Sequence, residues 1–288
     1  MVLERFYDYV LHIRLNEGGM AEVFLATDAH DRTVAVRRLR PEFKFRLSKR
    51  TDFRRGMEIQ QRMRGPHVVH VLELRTKTLI PYAVMEYIEG VNLRQAFHRR
   101  REFFTEWTRA YLIFERIAKG LGEIHRHGFM HLDFKPENMM INHTGDVRIM
   151  DFDLARPIPK KTEELGTAAG TPSYLAPEVL LRQPVDQRAD IFALGITGYE
   201  LFAGRKPVVA EAPQDLVCAY TSAYANFPSP ASINPALPRS ISELLMNCVE
   251  KKMDARYPSI PMILRDLLKI RVPPGTRDWS PHDDGGHA

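Results

Sequence analysis

Cysteine is nearly absent: Cys218 and Cys248 are the only two in 288 residues, and they form no Cys-x-x-Cys pair. Free thiols in a reducing cytoplasm are therefore expected, rather than a disulfide framework. No uninterrupted apolar run approaches the ~18–20 residues of a membrane span. The first residues, Met1-Val2-Leu3-Glu4-Arg5, lack the basic-then-apolar layout of a signal peptide. Neither a span nor a leader is expected, and no internal repeat is visible. Basic residues are plentiful, but no nucleic-acid-binding module or aromatic interleaving accompanies them, so nucleic acid is not an expected partner.

What is present suits a folded domain: 44% of residues are hydrophobic and 27% charged. The length sits near the ~250–300 residues at which single cores tend to split, so two lobes around a cleft are expected. Net charge is +5, and the cations crowd the first third: Arg37, Arg38, Arg40, Lys44, Arg46, Lys49, Arg50, Arg54, Arg55, Arg62 and Arg64, followed by Arg99-Arg100-Arg101. Solvated helix and loop faces account for such a run; a docking surface for an acidic or phosphorylated partner is the sharper expectation. Oligomeric state leaves no trace in these patterns.

Periodicity gives the order of elements. Leu11, Ile13 and Leu15 alternate, a glycine-containing turn covers Asn16 to Met20, and Val23, Phe24 and Leu25 resume a strand. In Thr33 to Leu39, Ala35 and Arg37 share one strand face while Val34 and Val36 share the other. Thr51 to Arg64 reads as a polar helix ended by Pro66, and Val68 to Leu74 and Ile80 to Tyr87 as two further strands. Thr105 is the expected cap of a helix carrying Tyr111, Phe114, Ile117, Ala118, Leu121 and Ile124 on one face, ended by Gly128. A short hairpin follows, with Met139 to Ile141 paired to Val147 to Met150. Ile191 to Phe202 is apolar almost all round and is expected to be buried; Trp107 is expected in the core. Helices are expected near Leu216, over Ile241 to Val249 and over Ile260 to Ile270, and a disordered tail over residues 271–288.

Within this order lie His131-Leu132-Asp133-Phe134-Lys135-Pro136-Glu137-Asn138 and then Asp151-Phe152-Asp153. They resemble the catalytic loop and magnesium-binding segment of the eukaryotic-like (Hanks-type) Ser/Thr protein kinases, whose usual forms are His-Arg-Asp-x-Lys-x-x-x-Asn and Asp-Phe-Gly. Gly170-Thr171-Pro172-Ser173-Tyr174-Leu175-Ala176-Pro177-Glu178 resembles the segment that ends the activation loop. Asp190 matches the aspartate that pins the catalytic loop, and Arg256 the arginine that pairs with Glu178. Met85-Glu86-Tyr87-Ile88 resembles the hinge that grips adenine, with Met85 as gatekeeper.

The resemblance covers roughly residues 7–270 and implies an α+β, protein-kinase-like bilobal fold. A small β-rich lobe with one main helix (about 7–87) joins through a hinge (about 86–90) to a larger, mostly helical lobe (about 91–270), after an extension over 1–6. It implies ATP with magnesium or manganese, and a protein substrate. By the same resemblance Asp133 orients the attacking hydroxyl, Lys135 and Thr171 support transfer, and Asp151 and Asn138 hold the metal through oxygen. Leu15, Gly18, Gly19, Val23, Ala35, Arg37, Met85, Glu86, Ile88 and Met140 line the nucleotide.

Several positions depart from that pattern. Of three spaced glycines in the phosphate-binding turn only Gly18 matches; Asn16 and Ala21 take the flanking places. Arg37 stands for the strand lysine, and its helix glutamate falls on Gly56; Glu58 reaches Arg37 only after a helix shift. Leu132 replaces an arginine that receives activation-loop phosphate, so control through Thr162 or Thr167 is not expected by that route. Asp153 replaces glycine and is expected to face solvent, with an extra metal contact as the alternative. His125, His127 and His131 are not expected to bind metal. The expected function is an atypical, weak Ser/Thr protein kinase; the alternative is a pseudokinase acting as a nucleotide-binding or scaffolding module.

Overall fold

Period-two alternation builds the small lobe. In the computed structural model, which describes residues 4–99, 106–165, 170–208, 213–222 and 226–273, six strands form one antiparallel sheet in the order β1-β2-β3-β4-β6-β5. They are β1 (Glu4–Phe6), β2 (Tyr9–Glu17), β3 (Ala21–Thr27), β4 (Thr33–Leu39), β5 (Val71–Arg75) and β6 (Tyr82–Glu86). Val34 and Val36 pack with Phe6, Leu11, Phe24 and Tyr82 on one face. Ala35 and Leu39 pack with Phe53, Met57, Val71 and Met85 on the other. Arg37 falls on this second face, beneath the lobe's helix. Residues 4–6, set apart as an extension in the sequence, pair along β2 as its edge partner.

Helix α1 (Leu47–Arg62) starts before the expected Thr51 and stops before Pro66. It ends because Met63 turns extended and buries its side chain in the large-lobe core. The expected strand from Val68 shortens for a related reason: Val68 bridges Ile149 in the other lobe, and pairing with β6 begins at Val71. Much of the basic run is spent internally. Arg38 bonds Glu22 at 3.1 Å and Glu4 at 2.9 Å, and Arg40 bonds Glu42 at 2.6 Å. Arg50 donates to the carbonyls of Leu79 and Thr78 at 2.8 and 3.0 Å.

The large lobe is helical around one continuous core. It contains β7 (Gly90–Asn92), α2 (Leu93–Arg99), α3 (Trp107–Arg126), β8 (Phe129–Met130), β9 (Met139–Asn142), β10 (Val147–Ile149) and β11 (Arg156–Pro157). Then come α4 (Pro177–Leu180), α5 (Arg188–Ala203), α6 (Pro213–Thr221), α7 (Pro230–Ile233), α8 (Arg239–Cys248) and α9 (Ile260–Leu268). Helix α5 is buried on nearly every face, as its all-round apolarity requires. Its two glycines admit neighbours closely: a Cβ on Gly198 would lie 2.5 Å from the Phe114 ring. Gly204, left-handed at φ 71°, closes it. Thr105, Thr167 and the tail beyond residue 273 lie outside the described residues. No described helix is long and apolar enough to cross a membrane.

Candidate active site

The loop after β8 is held from below by α5. Asp190, in the first turn of that helix, accepts the backbone N–H groups of Leu132 and His131, each at 2.8 Å, and bonds His125 Nε2 at 2.8 Å. Burial works to raise its carboxyl, but the His125 hydrogen bond and the nearby imidazoles outweigh it, leaving Asp190 below the ordinary carboxylate value. These bonds hold Leu132 at φ +62°, a conformation a branched side chain adopts only under constraint. His131 is buried between Phe134 and Phe152. Its Nδ1 accepts the Asp133 N–H at 3.3 Å and its Nε2 donates to the Met150 carbonyl at 3.1 Å. One imidazole thus ties the loop to the strand end that carries Asp151.

Four of the sequence-predicted residues meet in one hydrogen-bonded chain. Lys135 Nζ lies 2.8 and 3.0 Å from the Asp133 carboxylate and 2.8 Å from Thr171 Oγ1. Asn138 Nδ2 donates to the Asp133 carbonyl at 2.8 Å and to its carboxylate at 3.0 Å. That leaves the Asn138 amide oxygen without a donor among the described residues. Asp133 is therefore fixed from two sides while its carboxylate stays at the cleft.

Asp151 also has a positive φ, +66°, and its side chain keeps 38% exposure. Arg37 reaches it from the small lobe: Nη2 lies 3.1 Å from Asp151 Oδ1 and 2.7 Å from Asp153 Oδ2. The expectation that Asp153 faces solvent is overturned. Its side chain is only 21% exposed, because the guanidinium above it offers a charge partner that solvent would otherwise supply. Glu58 is not that partner; it sits 50% exposed on the far face of α1, 3.8 Å from Arg54. Gly56 occupies the facing turn of α1, where a Cβ would lie 2.9 Å from the Phe152 carbonyl oxygen and 3.0 Å from Asp153 Oδ1. Arg55 donates to the Asp153 carbonyl at 3.2 Å. Burial works to lower the Arg37 guanidinium, but Asp153 and Asp151 outweigh it and hold it well above the ordinary arginine value. Burial, with Asp151 alongside, raises the Asp153 carboxyl while Arg37 opposes it.

The nucleotide-side residues divide. Val23, Ala35, Met85 and Ile88 gather in one apolar cluster, joined by Met20 and Met150, which the sequence reading had not singled out. Leu15, exposed on β2, and half-buried Met140 on β9 stand outside it among the described residues. The Glu86 carboxylate accepts the His70 N–H at 2.8 Å. In the turn between β2 and β3, Gly18 donates to the Ala21 carbonyl at 2.9 Å, and a Cβ on Gly19 would meet nothing within 4 Å.

A second network was not legible from the motifs. Arg94 of α2 bonds Glu137 at 2.8 Å, Glu200 at 2.5 Å and the Tyr174 hydroxyl, and Tyr174 donates to Glu200 at 2.6 Å. It anchors the residue beside Asn138 to the segment following Thr171. Burial first, and Glu200 next, push the Tyr174 phenol well up.

The donor set suits a divalent cation and phosphates. Asp151 and Asn138 offer oxygens at the cleft, and one arginine against two carboxylates leaves a net negative charge there. Comparison with known proteins agrees with this architecture. The protein kinase domain profile matches residues 9–267. The chain is 32% identical, over 91% of its length, to the Ser/Thr protein kinase PksC of Streptomyces coelicolor, and covers 49% of that protein. It is 32% identical, again over 91%, to the probable Ser/Thr protein kinase PknB of Corynebacterium glutamicum, covering 42% of it. The chain thus spans about half the length, or less, of these relatives. With the profile running through both lobes and every segment of the cleft, the chain belongs to the protein kinase domain family.

Proposed function

We propose that this domain transfers the γ-phosphate of ATP to serine or threonine hydroxyls of a protein, and that it does so slowly. The observation that carries the reading is Asp133, oriented by Lys135 and Asn138 and linked through Lys135 to Thr171. In-line phosphoryl transfer asks the protein for positioning and for neutralised charge rather than for covalent work. Asp133 orients the acceptor hydroxyl and takes its proton as the bond to phosphorus forms. Lys135 is placed between that carboxylate and Thr171, where it offsets charge on the transferring group. Asp151 and Asn138 would hold magnesium or manganese, which supplies neutralisation of phosphate charge when bound. Val23, Ala35, Met85 and Ile88 offer an apolar slot for adenine, with Leu15 and Met140 at its rim. Gly18 and Gly19 let backbone approach the phosphates, and Glu86 and Ile88 present hinge backbone.

Slow transfer follows from the small lobe. Arg37 is a fork rather than a point charge, and it already engages Asp151. A ~1 Å misplacement of reacting groups costs ~10²-fold. The Arg37–Asp151 contact equally favours a second reading, a pseudokinase that binds nucleotide without transferring phosphate. The protein partner is drawn from the cytoplasm, and its acidic character rests on cations left outward, such as Arg46 and Arg64.

Radiolabelled transfer from ATP with magnesium or manganese, comparing wild type with Asp133→Asn, tests this. Incorporation falling ~10²–10⁴-fold in the variant is the expected result. Equal incorporation in both would remove Asp133 from the chemistry. No incorporation together with a thermal shift on adding ATP would establish the second reading.

A further inference from the structure

We propose that Asp153 is the positioning residue of the Arg37 guanidinium and that Gly56 is its steric complement, so that the three act as one exchanged set. The carboxylate that fixes this cation comes from the metal-binding segment of the large lobe, not from helix α1. What Arg37 does for nucleotide rests on the kinase reading; the pairing itself does not.

Three observations carry this. The first is charge. Both carboxylates of α1 are used elsewhere, Asp52 with Arg55 at 3.1 Å and Glu58 with Arg54 at 3.8 Å. What α1 offers Arg37 is apolar: the Met57 sulfur, 3.6 Å from Nη1, and the Phe53 ring, 5.5 Å from the guanidinium carbon. The second is space. A Cβ at position 56 would stand 2.9 Å from the Phe152 carbonyl oxygen, 3.0 Å from Asp153 Oδ1 and 3.1 Å from Asp153 Cα. Backbone lies on that side, so a side chain at 56 and a carboxylate at 153 compete for one volume. The third is an unmet acceptor. Asp153 Oδ1 is buried without a hydrogen-bond partner among the described residues, on the side facing Gly56, while Oδ2 takes Arg37. The carboxylate has filled the gap left by the glycine.

The exchange changes what the ion pair senses. A partner on α1 would make the pair report the position of that helix. With Asp153 as partner, the pair spans the lobes directly, and displacement of Phe152 and Asp153 breaks it. A forked guanidinium suits this role, since Nη2 bridges Asp151 and Asp153 while Nη1 lies against the Met57 sulfur of α1.

Two measurements test the set. In urea denaturation without nucleotide or metal, wild type is compared with Arg37→Met, Asp153→Asn and the double variant. The expected result is that Asp153→Asn shifts the midpoint differently in the two backgrounds. The same shift in both overturns the pairing, whatever the transfer assay gives. In steady-state transfer, Asp153→Asn is expected to raise the KM for ATP about 10-fold with a smaller fall in kcat. Gly56→Glu and Asp153→Gly should each impair the enzyme, and the double variant should regain about 5-fold in kcat/KM over either single one. A double variant no better than the worse single one overturns the exchange. Absence of transfer in wild type sinks the kinase reading alone, because the denaturation cycle decides the pairing independently.

Discussion

Two buried arginines show how differently the lobes use the same chemistry. Arg256 lies wholly within the large lobe and fills all five of its donors. It meets Glu178 at 2.6 and 2.7 Å, and the carbonyls of Glu250, Arg188 and Lys251 at 2.6, 3.1 and 3.1 Å. Its charge is matched one to one, and the Phe192 ring covers it at 4.9 Å. Arg37 instead reaches across the cleft, gives one nitrogen to two carboxylates and another to a thioether. The first site is complete and can only hold structure. The second sets one cation against two carboxylates across the cleft, without a one-to-one match.

Breaking the complete site should have the largest effect. Glu178→Gln leaves the Arg256 guanidinium buried and unmatched, for which a loss of about 3–5 kcal/mol is expected in urea denaturation. Arg256→Lys should lose most of the same amount, because an ammonium cannot satisfy the carboxylate and three carbonyls from one point. A loss below about 1 kcal/mol in Glu178→Gln would mean that the carbonyls suffice, and the contrast with Arg37 would fail. Asp153→Asn should cost less than Glu178→Gln, since Arg37 keeps Asp151.

A second comparison concerns pH. Asp190 and Asp153 are both enclosed carboxylates, yet the first is held below its ordinary value and the second above. For a carboxyl depressed on folding, the stabilisation is complete above the unfolded value of ~3.9 and fades as pH falls through the folded value. Asp190→Asn should therefore cost about 1–3 kcal/mol near neutrality, from N–H groups left poorly met. The gap from wild type should narrow as the pH drops below ~4. Midpoints measured from pH 3 to 7 check this; a gap that stays constant would show that Asp190 holds the loop by shape rather than by charge.

These contrasts also explain what the sequence disclosed. Asp133, Lys135 and Asn138 lie within six consecutive positions, so spacing alone brings them near one another, and Thr171 joins them in the folded chain. Strand faces were legible because alternation is local: Val36 and Arg37 part to opposite sides of β4 whatever else happens. The fate of Asp153 was not legible. Its partner lies 116 residues away, and a charged residue in a loop reads as solvated until that partner is known. The Arg94 network was hidden for the same reason, with Glu200 at a separation of 106. Strand β5 was misjudged in extent because Val68 serves the other lobe.

The smallest expected effect is the most discriminating for the small lobe. Glu58 is the one acidic residue of α1 near the place where a helical partner for Arg37 belongs, yet it stands half exposed beside Arg54. An exposed pair at i,i+4 contributes about 0.3–0.5 kcal/mol, and at 3.8 Å this one should fall at or below that range. Glu58→Ala should thus leave the urea midpoint nearly unchanged and the KM for ATP within about 2-fold of wild type. Were that KM to rise as far as in Asp153→Asn, α1 would have to rotate during turnover to bring Glu58 inward, because a helix places residues two apart ~200° around its axis. The partner of Arg37 would then change between resting and working states, and the lobe-spanning pair would describe only the first.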